Sequence, residues 1–481
     1  MNKKMVFFFV GQIIKIEAAL MLLPLIVSLL CKEWFGALSF FLTALLALAA
    51  GLLLTLFFKP SDRLIYAKEG FVIVALSWFG MLLIGALPFV ISGAIPNYID
   101  AFFETASGFT TTGASILREI ESLPKGVLFW RSFTHWIGGM GVLVFVMAII
   151  PTVCDRSMHV LKAEMPGPIV GKLVPKVRQT ARILDLIYIA RTVLEVILLL
   201  CGGMSLFDSL IHAFGTAGTG GFSSRNDSIA GYSPYLQWVI TVFMLLFGIN
   251  FNLFYLLLLR KFKTVFKSTE LRAYLGIVVA SIVIIAFNVY KMYGSLSETI
   301  RASSFQVASI ITTTGFSTVD FNTWPDLSKA ILLLLMIIGA CAGSTGGGLK
   351  VSRVVMLFKM IGNELRKLLH PRSVQSVRFE GKALDDQTQR SVLIYCGIYA
   401  VVTIVAFLLI SFEPFGLESN LSAVIACFNN IGPGLGLVGP VSNYADYTAF
   451  SKIILAFAMV FGRLEIYPML FMLSPSTWFK K

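Results

Sequence analysis

Four short stretches of this chain combine small hydroxyl residues with glycine in a way suited to holding a bare cation. They are Thr110-Thr111-Thr112-Gly113-Ala114-Ser115, Thr219-Gly220-Gly221-Phe222-Ser223, Thr312-Thr313-Thr314-Gly315-Phe316-Ser317 and Asn429-Asn430-Ile431-Gly432-Pro433-Gly434. Glycine adopts backbone angles closed to other residues, and carbonyl oxygens held in a ring replace an ion's water shell. The chemistry is coordination, with no bond made or broken. One such loop reads equally well as a turn that caps a helix. Four of them, each after a short amphipathic segment and before a long apolar one, read as four quarters of a cation selectivity filter.

Two further stretches carry candidate chemistry. Gly339-Ala340-Cys341-Ala342-Gly343-Ser344-Thr345-Gly346-Gly347-Gly348 interrupts an apolar run that would otherwise form one helix over 330–362. Each glycine costs a helix about 1 kcal/mol, so several together break it. The stretch is either a small-residue packing face or a flexible loop lining a cavity below the filter, with Lys350 at its end. The triple glycine and the Ser-Thr pair favour the loop. Gly462-Arg463-Leu464-Glu465 lies inside the last apolar segment, and an ionisable residue there is a functional hypothesis by default. Arg463 is expected to act as an electrostatic barrier to cations, the alternatives being a structural pair with Glu465 or an arginine reaching for the membrane surface.

Asp100, Glu104, Asp208, His212 and Glu298 lie on or beside the short segments. They either draw cations to the mouth or cap and hydrogen-bond the loops. Arg131 and His135 are expected to be structural partners of that polar layer. No carboxylate or histidine spacing suggests catalysis, and no phosphate loop or dinucleotide fingerprint is present. The chain does not read as an enzyme.

The elements that must position these loops are membrane helices. Of 481 residues, 57% are hydrophobic and 14% charged, against about 25% charged in soluble domains. A span needs about 20 apolar residues. The spacing predicts spans over 6–30, 35–58 and 71–91, the first a retained helix rather than a cleaved leader. A unit then recurs: span, short helix, loop, span. Its short helices are predicted at 98–107, 206–216, 298–310 and 418–428. At 12 residues or so, about 18 Å, they cannot cross. The intervening spans are predicted at 127–150, 183–201, 236–259, 274–289, from 330 onwards, 391–410 and 450–473, giving ten spans in all. The expected division is 1–69 for two additional N-terminal spans, then pore units over 70–182, 183–272, 273–390 and 391–481.

The net charge of +13 comes from loops between spans, as the positive-inside rule expects, and does not imply nucleic acid. Arg156, Lys162, Lys172, Lys176, Arg260, Lys261, Lys263, Lys267, Arg366, Lys367 and Lys382 put the three inter-unit linkers in the cytoplasm, together with both termini. The six cysteines have no CxxC spacing and read as packing residues.

These four loops, TASGFTTTGAS, TAGTGGFSS, TTTGFST and NNIGPGLG, resemble those of the Trk/Ktr/HKT superfamily of potassium transporters, over essentially the whole chain. The two extra N-terminal spans and His135-Trp136-Ile137-Gly138-Gly139-Met140-Gly141 look most like its TrkH branch. The resemblance implies an all-α polytopic membrane protein of four pseudo-symmetric units around a pore, with Gly113, Gly221, Gly315 and Gly432 as filter glycines. It implies ion-lining carbonyls at Thr111, Thr112, Thr219, Gly220, Thr313, Thr314, Asn430 and Ile431, and K+ as the transported ion. It further implies a gate built from Gly343, Gly346, Gly347, Gly348, Lys350 and Arg463, a homodimer in membrane lipid, and a cytosolic nucleotide-binding regulatory ring of TrkA type. The bacterial inner membrane is the expected location. The fourth loop departs from the threonine pattern. A sodium- or proton-coupled symporter with broken helices at the midplane is the alternative; a chain with four units in one orientation fits it less well.

Overall fold

The computed structural model describes residues 1–60, 67–141, 177–370 and 376–478. Among the described residues the fold is all-α apart from a short hairpin pairing Arg378–Phe379 with Lys382–Ala383. An apolar environment offers no water to the backbone, so each buried amide must be satisfied within its own segment, and helices do that.

Among the described residues, five stretches are long and apolar enough to cross a membrane: Lys3–Leu30, Trp34–Phe57, Lys68–Ile91, Thr269–Tyr293 and Asp386–Ile410. The first is α1 (Lys3–Leu20) continued by α2 (Leu22–Leu30), and the second is α3 (Trp34–Phe57). α1 crosses α3 where Gly11 meets Gly51. A Cβ on Gly51 would fall 2.8 Å from the Gly11 carbonyl, so small residues permit the approach. The third comprises α4 (Ala67–Gly85) and α5 (Leu87–Ile91). Leu45, Leu53, Phe287, Val401 and Leu408 project from the long helices into the surroundings, an apolar exposure suited to lipid.

The short helices are present where expected: α6 (Tyr98–Phe109), then α9 (Leu206–Gly218), α14 (Leu296–Ile311) and α18 (Gly416–Phe428). Each carries an acidic residue in its first turn, Asp100, Asp208, Glu298 and Glu418, where the helix dipole favours negative charge. Asn97 caps α6 by accepting from the Ile99 amide at 2.8 Å, and Ser205 caps α9 by accepting from the Asp208 amide at 3.1 Å. Their C-terminal turns are buried in the centre of the molecule.

Two of the segments that follow the short helices, 236–259 and 450–473, differ from the expectation of continuous spans. α7 (Lys125–Met140) ends at Gly141, φ +77°; the remainder of the predicted 127–150 span and the basic residues from Arg156 to Lys176 lie outside the described residues. After α8 (Val177–Cys201), the predicted 236–259 span is two helices, α10 (Pro234–Phe247) and α11 (Phe251–Leu258), bent by 93°. α12 (Phe262–Lys267) and α13 (Thr269–Tyr293) lead to α14. The next pair, α15 (Asp326–Ile338) and α16 (Val351–Leu369), is separated by the glycine stretch, as predicted. α17 (Asp386–Ile410) precedes α18. The predicted 450–473 span breaks between α19 (Ala449–Arg463) and α20 (Tyr467–Leu473), where Glu465 and Ile466 take φ of +54° and +67°. The breaks at 248–250, 339–350 and 464–466 each adjoin or closely follow a glycine: Gly248, Gly339 or Gly462.

Candidate cation pathway

The four short helices end in one backbone motif. At the end of α6, Thr111 is left-handed at φ +57°; its amide donates to the Gly108 carbonyl at 3.1 Å and the Thr112 amide to the Ser107 carbonyl at 2.8 Å. The same two bonds recur at Thr219 and Gly220, at Thr313 and Thr314, and at Asn430 and Ile431. This is the Schellman turn, which satisfies carbonyls that a helix end leaves open. Two residues beyond each left-handed residue stands a glycine of positive φ: Gly113 at +79°, Gly221 at +77°, Gly315 at +84° and Gly432 at +94°. The capping turn and the candidate ion loop are thus one structure. A β-branched residue in the left-handed region is a genuine outlier, at about 1–3 kcal/mol each. Three threonines adopt it, while Asn430 is of a type that tolerates it.

The four turns close on one another. A Cβ added to Gly113 would overlap the Gly220 carbonyl oxygen; on Gly221, the Thr314 oxygen; on Gly315, the Ile431 oxygen; on Gly432, the Thr112 oxygen, each closer than 3.0 Å. The sequence of contacts returns to its start, so the loops form a closed ring with a carbonyl of one against the glycine of the next. Nothing larger than glycine fits, whatever its φ.

Polar side chains hold the ring from behind. Thr110 and Thr112 share a hydroxyl–hydroxyl bond of 2.7 Å, and Thr312 and Thr314 one of 2.8 Å. In the fourth loop, Asn430 Nδ2 donates to Thr112 Oγ1 at 3.0 Å and to the Met459 carbonyl at 2.9 Å. Glu104 is fully engaged: Arg131 Nε donates to it at 2.6 Å, Ser115 Oγ at 3.0 Å and the Ile116 amide at 3.0 Å. Arg131 also donates to the Ser223 carbonyl at 3.2 Å and lies over the Phe222 ring, tying the first loop to the second. His135 stacks on Phe222 at 4.1 Å. His212 bonds the Asp208 carbonyl and Ser223 Oγ, Asp208 accepts from Ser224 at 2.6 Å, and Asp100 accepts from Lys452 at 2.6 Å. Of the polar layer, Glu104, Asp100, Asp208 and His212 are therefore hydrogen-bonded into the structure around the loops. Glu298 stands in the first turn of α14.

The ring separates two cavities. The upper, about 150 Å³, is lined by Gly113, Gly221, Gly315, Gly432, Ser115 and Ser317 among others. The lower, about 80 Å³, is lined by Gly343, Gly346, Gly347, Lys350, Asn430 and Arg463 among others.

Against the underside of the ring lies the glycine stretch. The Gly347 amide donates to Thr313 Oγ1 at 2.6 Å, and a Cβ on Gly346 would come within 2.8 Å of the Thr312 carbonyl. Three bonds tie the stretch to the bend between α10 and α11: Cys341 amide to Gly248 carbonyl at 3.1 Å, Phe251 amide to Gly343 carbonyl at 2.9 Å, and Thr345 Oγ1 to Phe247 carbonyl at 3.3 Å. Lys350 Nζ donates to the Gly346 carbonyl. Arg463 donates to the Thr345 carbonyl at 2.7 Å and to the Gly138 carbonyl, bridging this stretch to the end of α7. Gly138 and Gly462 are themselves close-packed, on the carbonyls of Phe109 and Phe428.

The profile of the TrkH family, described as a cation transport protein, matches residues 37–480. The chain belongs to the TrkH family. The Trk system potassium uptake protein TrkH of Salmonella typhimurium is 38% identical over 476 residues, covering 98% of each chain. The Trk system potassium uptake protein TrkG of Escherichia coli is 33% identical over 477 residues, covering 97% of each. The crystal structure of the potassium transporter TrkH from Vibrio parahaemolyticus matches with a TM-score of 0.89 at 33% identity, over 100% of both chains. Family membership makes this chain a membrane transport protein and not an enzyme.

In this TrkH-family chain the twelve loop residues named from sequence meet in one ring, and Gly343, Gly346, Gly347, Lys350 and Arg463 meet below it. Gly348 does not line the lower cavity; it packs against Gly339. Glu465 does not pair with Arg463 as the structural alternative had it: Arg353, on α16, donates to both its oxygens, Nη1 at 3.1 Å. Sequence reasoning also missed the side-chain role of Asn430 and the Tyr444 hydroxyl, which donates to the Gly432 carbonyl at 2.7 Å. Only a second asparagine in a glycine loop hinted at the former.

Proposed function

We propose that this chain takes up potassium ions across the bacterial inner membrane, through the ring of four loops. The observation that carries the reading is the closed series of glycine-to-carbonyl contacts between two cavities. Potassium in the upper cavity exchanges its water for the carbonyls of residues 111 and 112, 219 and 220, 313 and 314, and 430 and 431. Four short helices direct their C-termini at this point, each worth about half a negative charge, which favours a cation without any titratable ligand. The fourth loop keeps the backbone of the others and contributes carbonyls on the same footing.

Below the ring, the glycine stretch and the cations Lys350 and Arg463 act as the gate. Their charge opposes an ion leaving the filter, and their hydrogen bonds to Gly346, Thr345 and Gly138 hold the stretch in place. The pore units are those bounded at residues 70, 183, 273 and 391, with both termini cytoplasmic. The chain works as a homodimer, and the basic surface carrying Arg260, Lys261, Lys263, Lys267, Arg366 and Lys367 receives a cytosolic nucleotide-binding regulatory ring. Names of relatives, "Trk system" proteins, support the expectation of a partner.

Reconstitution into liposomes tests the reading. Passive flux of potassium or rubidium, with sodium excluded, is the expected result. Flux that requires a sodium or proton gradient would replace the channel mechanism with a coupled one.

A further inference from the structure

Arg191 lies within α8 and itself lines neither cavity, though Phe251 beside it lines the lower one, in a setting unusual for a buried cation. Among the described residues, none of its guanidinium nitrogens has a hydrogen-bond partner, although all are shielded. Instead the guanidinium faces three rings: Phe247 at 4.1 Å, Phe251 at 5.0 Å and Phe254 at 4.1 Å. Glu195, one turn along α8, is buried beside it. A desolvated cation over aromatic faces is held more firmly than one at a wet surface, and an arginine's flat group stacks where an ammonium does not.

The identity of those rings matters. Phe247 is the last residue of α10 and Phe251 the first of α11, so they flank the 93° bend. The backbone atoms of these two residues also hold the glycine stretch: the Phe247 carbonyl accepts from Thr345, and the Phe251 amide donates to Gly343. Between them, the Gly248 carbonyl accepts from Cys341. The side chains of the bend are gripped by Arg191 while its backbone grips the stretch. A rigid bend presents these groups at fixed positions; a bend free to straighten would withdraw all three together.

We propose that Arg191 is a positioning residue for the intramembrane glycine stretch, fixing it beneath the ring by clamping the α10–α11 bend through Phe247, Phe251 and Phe254. Its effect on conduction rests on the reading of that stretch as the gate. Cys341, fully buried within the stretch, provides a native reporter. The experiment measures its rate of modification by a methanethiosulfonate reagent, read by peptide mass spectrometry, and rubidium flux, both on the full chain in proteoliposomes. Arg191→Leu is expected to raise Cys341 labelling by about tenfold or more, the scale of a lost desolvated cation–π contact, and to raise flux with it. Arg191→Lys is expected to shift both readouts in the same direction by less. Phe254→Leu removes one ring without touching a residue bonded to the stretch, and carries the test should Arg191→Leu fail to accumulate. Faster labelling with unchanged flux sustains the clamp and overturns the gate reading. Unchanged labelling in Arg191→Leu and Phe254→Leu overturns the clamp, whatever the flux.

Discussion

Asn430 and Thr112 stand 318 residues apart in the chain and are joined by a hydrogen bond of 3.0 Å. That bond closes the seam between the last loop of the ring and the first, and the second amide hydrogen of Asn430 anchors the seam to the Met459 carbonyl. The residue that departs from the threonine pattern is therefore the one that fastens the ring.

Asn430→Leu removes both bonds while keeping the volume. It leaves the Met459 carbonyl with one donor fewer, a loss of about 1–3 kcal/mol for a buried group. The expected outcome is a several-fold fall in the potassium-to-sodium permeability ratio with flux retained. Relative uptake of rubidium and sodium in proteoliposomes measures it; an unaltered ratio removes Asn430 from the account of selectivity.

Gly315→Ser places a side chain against the Ile431 carbonyl and strains a residue at φ +84°. Discrimination against sodium should be lost, and Gly113→Ser should do the same through the Gly220 carbonyl. Competition between sodium and rubidium is the measurement, and a mutant that stays selective would falsify the assignment of the ring as the filter.

Arg463→Ala deletes the bridge between the Thr345 and Gly138 carbonyls and one positive charge from the lower cavity. Rubidium flux should rise by about tenfold, the size of a change near 1.4 kcal/mol in barrier. Flux at the wild-type level would show that the arginine is structural.

Arg131 and Glu104 form a buried pair, both almost inaccessible. Removing one partner of such a pair costs about 3–5 kcal/mol, whereas exchanging both for apolar residues is often nearly neutral. Arg131→Met should thus depress the unfolding temperature in detergent far more than Arg131→Met combined with Glu104→Leu. Additive losses would mean that the Ser115 and Ile116 bonds to Glu104 dominate.

Glu413 predicts a pH dependence outside the membrane helices. Burial pushes its carboxyl up, but hydrogen bonds from Ser451 and Thr448 more than offset this and leave it below the ordinary range. A depressed folded-state value stabilises the protein above the unfolded carboxylate value of about 4.3, and that stability is lost as pH falls through the folded value. Thermal unfolding scanned from pH 7 downwards should show wild type losing more than Glu413→Gln over this interval. Parallel curves would contradict the prediction.

The ring was legible because its chemistry is local. Thr-Thr-Thr-Gly between apolar segments encodes a helix end, a left-handed residue and a glycine without help from distant parts of the chain. The bend at Gly248 was not legible. Residues 236–259 are apolar but for Gln237, Thr241, Gly248, Asn250 and Asn252; Asn250 caps α11, but the groups that hold the bend, Cys341 and Gly343, lie about a hundred residues downstream. Glu465 misled for the same reason: its neighbour in sequence is Arg463, yet a helix end placed Arg353 beside it. Composition announces that such residues are buried; which partner meets them is decided by packing. Gly138 and Gly462 fall between these cases. As glycines in apolar helices they were visible, but only the carbonyls of Phe109 and Phe428 pressed against them explain why no side chain is allowed.

The ring of glycines and carbonyls is drawn from one polypeptide, with four different surroundings for four similar turns. In a ring of identical subunits every substitution arrives in four copies, and an intermediate dose cannot be made. Here Thr111, Thr219, Thr313 and Asn430 can each vary alone. On the proposed reading of the ring as the filter, selection can therefore adjust ion preference a quarter at a time, and an experimenter can titrate it in the same increments within a single gene.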